Sequence, residues 1–104
     1  MQEFGLSEKN ILLIKDTFKK YPQIEEAVIF GSRAMGNYKK GSDIDMALKG
    51  ENINFNITAK INYKLNEEFP LPYMFDIVNY NNIDNENLKR HIDNEGKIFY
   101  NKTV

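Results

Sequence analysis

An apolar run that stops at glycine, followed by a second apolar run that opens on two aspartates, sets the tightest limit on how this chain folds. Glu26-Ala27-Val28-Ile29-Phe30 reads as a buried strand delivered to Gly31-Ser32, and Asp43-Ile44-Asp45 begins a second strand reaching Leu48. In a strand, residues i and i+2 point the same way and lie roughly 6 to 7 Å apart. Asp43 and Asp45 therefore share one face, while Ile44 between them enters a core from the other. One strand is thus anchored by its apolar face and presents two carboxylates on the opposite one.

The segments around this pair alternate between helix and strand signals without a linker or repeat. Leu6-Ser7-Glu8-Lys9-Asn10-Ile11 predicts a helix start, with Ser7 as N-cap and Leu6 packing on Ile11, and the helix runs to Tyr21 before Pro22 stops it. Residues 32–37 form a short helix or turn. Ile53, Ile57, Ile61 and Leu65 recur at the spacing of a helix's buried face. Pro70 and Pro72 end that helical pattern, and Tyr73–Val78 reads as a third strand. Ile83-Asp84 up to Leu88 begins another stapled and capped helix, Gly96 comes just after its end, and a short C-terminal strand closes the chain. The expected fold is α/β (α+β), a small mixed sheet flanked by helices.

Size and charge narrow the partners. The 104 residues make one domain over 1–104, so a substrate needing a two-domain cleft has to borrow its other wall. The net charge of −1, with acids and lysines mixed, lacks the basic stripe of sequence-independent nucleic-acid binding. Absence of cysteine removes disulfides, thiolate nucleophiles and cysteine metal sites. No leader-like or membrane-length apolar segment is present, and the chain reads as a soluble cytoplasmic domain.

The aspartates invite a metal. Two adjacent anions repel unless something positive lies between them, and Mg²⁺ takes few carboxylates, keeps waters and accepts phosphate oxygens. Two such ions about 4 Å apart serve in-line displacement at phosphorus, and that arrangement recruits a third carboxylate. Asp76 is the candidate, because it lies in the apolar run Tyr73-Met74-Phe75-Asp76-Ile77-Val78, where an unpaired buried charge is costly. If its strand lies beside that of Asp45, the facing side chains stand about 5 Å apart. Gly31 lets a backbone approach phosphate without a Cβ in the way, and Ser32 offers N–H and hydroxyl where a short helix starts. Arg33, Lys39 and Lys40 are further phosphate candidates, the two lysines being better read as a solvated loop. Asp-x-Asp or Gly-Ser alone is ordinary loop material; the conjunction on three strands is what points to catalysis. His91, the single histidine, is assigned a surface or packing role on a helix.

Gly31-Ser32 through Asp43-Ile44-Asp45 resembles the signature of the DNA polymerase beta-like nucleotidyltransferase superfamily, and chain length points to its minimal branch. The closing segment His91–Tyr100 also resembles small prokaryotic members. The resemblance implies a polymerase beta-like fold, contacts from Gly31 and Ser32 to a bound nucleotide, and two Mg²⁺ ions held by Asp43, Asp45 and Asp76; Arg33 and Ser42 are added as nucleotide-binding candidates. It further implies ATP as donor and an all-helical partner of the higher eukaryote and prokaryote nucleotide-binding (HEPN) type, a toxin that receives AMP on a tyrosine. The chain is then the antitoxin in a hetero-oligomer. Two other readings stay open: a binding module that masks its partner by contact, and a small-molecule nucleotidyltransferase completed by a second chain.

Overall fold

The computed structural model describes residues 3–103; Met1, Gln2 and Val104 of the expected 1–104 domain lie outside them. Helix α1 (Glu8–Lys19) opens on Ser7, whose hydroxyl accepts the Asn10 N–H at 3.2 Å. It ends two residues earlier than expected because the chain tightens there. Lys20 N–H bonds the Thr17 carbonyl and Tyr21 N–H the Phe18 carbonyl, both three residues back, ahead of Pro22.

The sheet has four strands, β1 (Glu26–Phe30), β2 (Ile44–Lys49), β3 (Phe75–Asn79) and β4 (Lys97–Asn101), in the spatial order β3-β2-β1-β4. β1 pairs antiparallel with both β2 and β4, and β2 runs parallel to β3. The sheet is therefore mixed, as expected. The crossover between the parallel strands carries α3 (Phe55–Tyr63), which continues into one wide π-turn, Lys64–Glu68. The first turn after β1 is α2 (Ser32–Met35), and α4 (Glu86–Glu95) leads into β4. The cap of α4 is Asn85, accepting Leu88 N–H, rather than the neighbouring Asp84.

The alternation along β2 decides the layering. Ile44, Met46 and Leu48 are fully buried with α1 and α3 in the larger core, together with Ala27, Ile29 and Ile77. A bulge in the β1–β4 ladder places both Phe99 and Tyr100 in that core, where each meets the Phe18 ring. The other face carries a smaller cluster of Val28, Phe30, Ala47 and Ile92, roofed by α4. Asp45 alternates onto this thinner face. No helix among the described residues is long and apolar enough to cross a membrane.

Candidate active site

β1 delivers its last residue, Phe30, directly opposite Asp45 of β2. The chain then turns at Gly31, with φ of 75°, a region that residues with a side chain rarely occupy. An added Cβ would also stand 2.7 Å from the Asp45 Oδ2. Glycine is thus required twice, by the backbone and by the carboxylate beside it. Met35 N–H bonds the Gly31 carbonyl and Gly36 N–H the Ser32 carbonyl, closing a single turn of helix. Four residues give α2 little dipole, so the turn's value lies in backbone shape rather than helical charge.

The loop from α2 to Asp43 is held from inside. Ser42 and Lys39 bond reciprocally: Lys39 N–H donates to Ser42 Oγ at 2.8 Å, and Ser42 N–H to the Lys39 carbonyl at 3.0 Å. The Ser42 hydroxyl keeps only its proton for a phosphate. Arg33 departs further from expectation. It is 3% exposed, and its guanidinium donates to the carbonyls of Phe4, Lys40 and Ser42 while lying 5.0 and 5.2 Å from the rings of Tyr38 and Tyr73. Burial draws it to fixed acceptors, because an unpaired interior charge is too costly. Through these bonds Arg33, named as a phosphate contact, pins the loop that leads to the aspartates. Lys39 and Lys40 are exposed, as the solvated-loop reading has it.

The parallel β2–β3 register sets Asp45 directly beside Asp76. Asp43 precedes β2 by one residue, so it stands just ahead of the ladder rather than within it. Asp76 is exposed, not buried as its apolar run suggested. β3 is an edge strand with Phe75 and Ile77 facing the main core, and Asp76 between them faces the thinly covered side. Burial raises the Asp45 carboxyl above its ordinary value, and Asp76 and then Asp43 raise it further; His91 acts in the opposite sense. The three acids therefore act on one point.

Among the described residues, no three acidic, histidine or cysteine side chains close around a metal ion as they stand. Mg²⁺ binds through one or two carboxylates, water and substrate phosphates rather than an all-protein cage. The donor set is all oxygen and its mutual repulsion favours a divalent cation, so the residues fit the ion. Asp43 and Asp76 stand open to solvent. A cleft of about 730 Å³ lies farther along β3, with Phe55, Val78 and Leu88 in its walls.

His91 is the residue that sequence reasoning left out. Its Nε2 accepts the Gly31 N–H at 3.1 Å, across 60 positions of chain. Neither spacing nor periodicity signals such a contact; only its being the one histidine invited notice.

A toxin-antitoxin crystal structure with AMP-PNP matches this fold with a TM-score of 0.71 at 22% identity, over 92% of this chain and 74% of that one. A doubly substituted mutant of the toxin-antitoxin MntA-HpeT matches with a TM-score of 0.69 at 18% identity, over the same shares. At these identities the likeness is one of fold. No curated protein matches the chain. The family model described as polymerase beta, nucleotidyltransferase spans residues 13–103. That span holds the whole sheet, the Gly31-Ser32 turn and all three aspartates, and on it the chain belongs to the polymerase beta nucleotidyltransferase family.

Proposed function

We propose that residues 1–104 act as one minimal nucleotidyltransferase domain that moves AMP from ATP to a tyrosine hydroxyl of a helical partner toxin of the HEPN type, and so serve as its antitoxin. The observation that carries this reading is the register of Asp45 against Asp76, with Asp43 and the Gly31 turn at the same end of the sheet. The fold shared with structures described as toxin-antitoxin, one of them with AMP-PNP, supports the partner and the nucleotide.

In this reading Asp43, Asp45 and Asp76 hold two Mg²⁺ ions, which when bound neutralise the triphosphate and polarise its phosphorus. The Gly31-Ser32 turn receives the phosphates, and the Ser42 hydroxyl has a proton to donate to them. The tyrosine oxygen attacks the α-phosphorus, a new P–O bond forms, the bond to the β-phosphate breaks, and pyrophosphate leaves. A carboxylate oxygen of Asp76, open to solvent, takes the hydroxyl proton. The exposure of Asp43 and Asp76 suits an acceptor brought by another protein.

The test is incubation with Mg²⁺, each labelled nucleoside triphosphate and the product of the adjacent gene, then mass spectrometry. Addition of an AMP mass to a partner tyrosine is expected. Transfer that survives Asp43→Asn together with Asp45→Asn would sink the proposal. Full neutralisation of the partner in cells by that double variant would favour masking by contact.

A further inference from the structure

The two peptide groups flanking Gly31 are both fixed, and by different parts of the chain. The one after it is tied into α2, where the Gly31 carbonyl accepts Met35 N–H at 3.1 Å. The one before it points its N–H at the imidazole Nε2 of His91 on α4, at 3.1 Å. Nε2 accepts there through its lone pair. The imidazole also meets the Phe30 ring edge-on, with centroids 6.2 Å apart at 78°.

One side chain thus touches the last residue of β1 and the first of the turn. Phe30 is the register partner of Asp45, and Gly31 is the residue whose missing Cβ leaves room for the Asp45 carboxylate. The base of the imidazole is itself held, because the adjacent Ile92 is buried among Val28, Phe30 and Ala47. The turn is therefore bounded by Asp45 on one side and by His91 on another. A strand-end N–H is ordinarily satisfied by a neighbouring strand or by water; here it meets a fixed acceptor on a helix that lies after β3 in the chain.

We infer that His91 is a positioning residue of the nucleotide site: by accepting the Gly31 N–H it fixes the Gly31-Ser32 turn beside Asp45 in the arrangement that receives a nucleoside triphosphate. The inference rests on the nucleotidyl-transfer reading of the site. His91 touches neither the nucleotide nor the acceptor hydroxyl, and it moves no proton in the reaction. Its work is done through Gly31.

Three variants separate this role from bulk packing. Glutamine carries an oxygen to the place of Nε2, leucine fills the volume without an acceptor, and asparagine keeps polarity but falls short. Affinity for ATP, GTP, CTP and UTP with Mg²⁺ is measured by calorimetry, and exchange of the Gly31 amide by NMR. His91→Leu and His91→Asn should each lose about tenfold in affinity for the nucleotide the parent protein binds, the size of one lost hydrogen bond. Their Gly31 amides should exchange faster. His91→Gln should stay within about threefold, with the amide still protected, since it retains that bond. Parent-like affinity in both His91→Leu and His91→Asn, despite an opened Gly31 amide, overturns the inference. So does His91→Gln losing affinity while its Gly31 amide stays protected. A parent protein that binds none of the four nucleotides overturns the nucleotidyl-transfer reading itself, and the inference falls with it.

Discussion

The side-chain amide of Asn62 grips the backbone of Ile77 twice, donating to its carbonyl at 2.9 Å and accepting its N–H at 3.1 Å. One turn later Asn66 does the same to Phe75, at 2.9 and 2.7 Å. β3 is an outer strand, and these are its outward-facing backbone groups. The two asparagines therefore stand where another strand would pair, and they hold the backbone on either side of Asp76. They seal the edge against pairing with other chains and set the position of the third carboxylate.

Asn62→Ala and Asn66→Ala should each cost about 1–3 kcal/mol in chemical denaturation, since each leaves a donor and an acceptor to water or unpaired. The double variant should also self-associate in light scattering, as an uncapped edge does. Stability unchanged within error in both single variants would show that water replaces the amides fully.

What was legible in the sequence was whatever a local rule governs. Period-two alternation put Ile44 in the core and Asp43 and Asp45 opposite it, and the i+4 isoleucines marked the buried face of α3. Asp76 was found through its apolar neighbours, although the burial inferred from them was wrong, because an edge strand buries only one face. The contacts that hold the site were not legible. His91 to Gly31, Arg33 to Phe4, and Asn62 to Ile77 join side chains to backbone across 60, 29 and 15 positions. A side chain that bonds a distant peptide group imposes no period on the sequence around it.

Asp45 should set stability against function. Burial, Asp76 and Asp43 raise its carboxyl above the ordinary value, so the folded chain binds that proton more readily than the unfolded chain does. The associated stability is present below the unfolded value and is lost as pH climbs through the raised folded one. Above that raised value Asp45 is ionised and weakens the fold. Asp45→Asn should therefore melt a few degrees higher than the parent at pH 7 without divalent ions, and the gap should close below about pH 4. Magnesium should raise the melting temperature of the parent more than that of the variant, while nucleotidyl transfer by the variant is lost. Melting temperatures that coincide at pH 7 would contradict the repulsion argument.

Gly31 and Gly36 form a matched pair for dissecting the turn. Both have positive φ, 75° and 85°, but a Cβ at Gly31 meets the Asp45 carboxylate whereas one at Gly36 meets nothing within 4 Å. Alanine at Gly36 should show the backbone cost alone, about 1 kcal/mol. Alanine at Gly31 should cost more and also displace Asp45, lowering nucleotide affinity at least about tenfold if the loss reaches one hydrogen bond's worth. Thermal melts and calorimetric titration read the two effects separately. Equal losses at both positions would mean that the Asp45 carboxylate moves aside without consequence.

Arg33 offers the sharpest contrast between charge and geometry. Its planar guanidinium reaches three carbonyls from two loops at once, between two tyrosine rings. Lysine keeps the charge but presents one ammonium, which cannot span Phe4 and Ser42 together or stack between the rings. Arg33→Lys should therefore lose about 2 kcal/mol or more, the scale of breaking charged hydrogen bonds in the interior. The loss should appear as faster amide exchange in residues 39–42, the segment that carries Ser42 and leads to Asp43. A direct phosphate ligand would behave differently: Arg33→Lys would weaken triphosphate binding while leaving the melting temperature and loop exchange unchanged. Measuring both distinguishes a pin from a ligand, and the burial of Arg33 favours the pin.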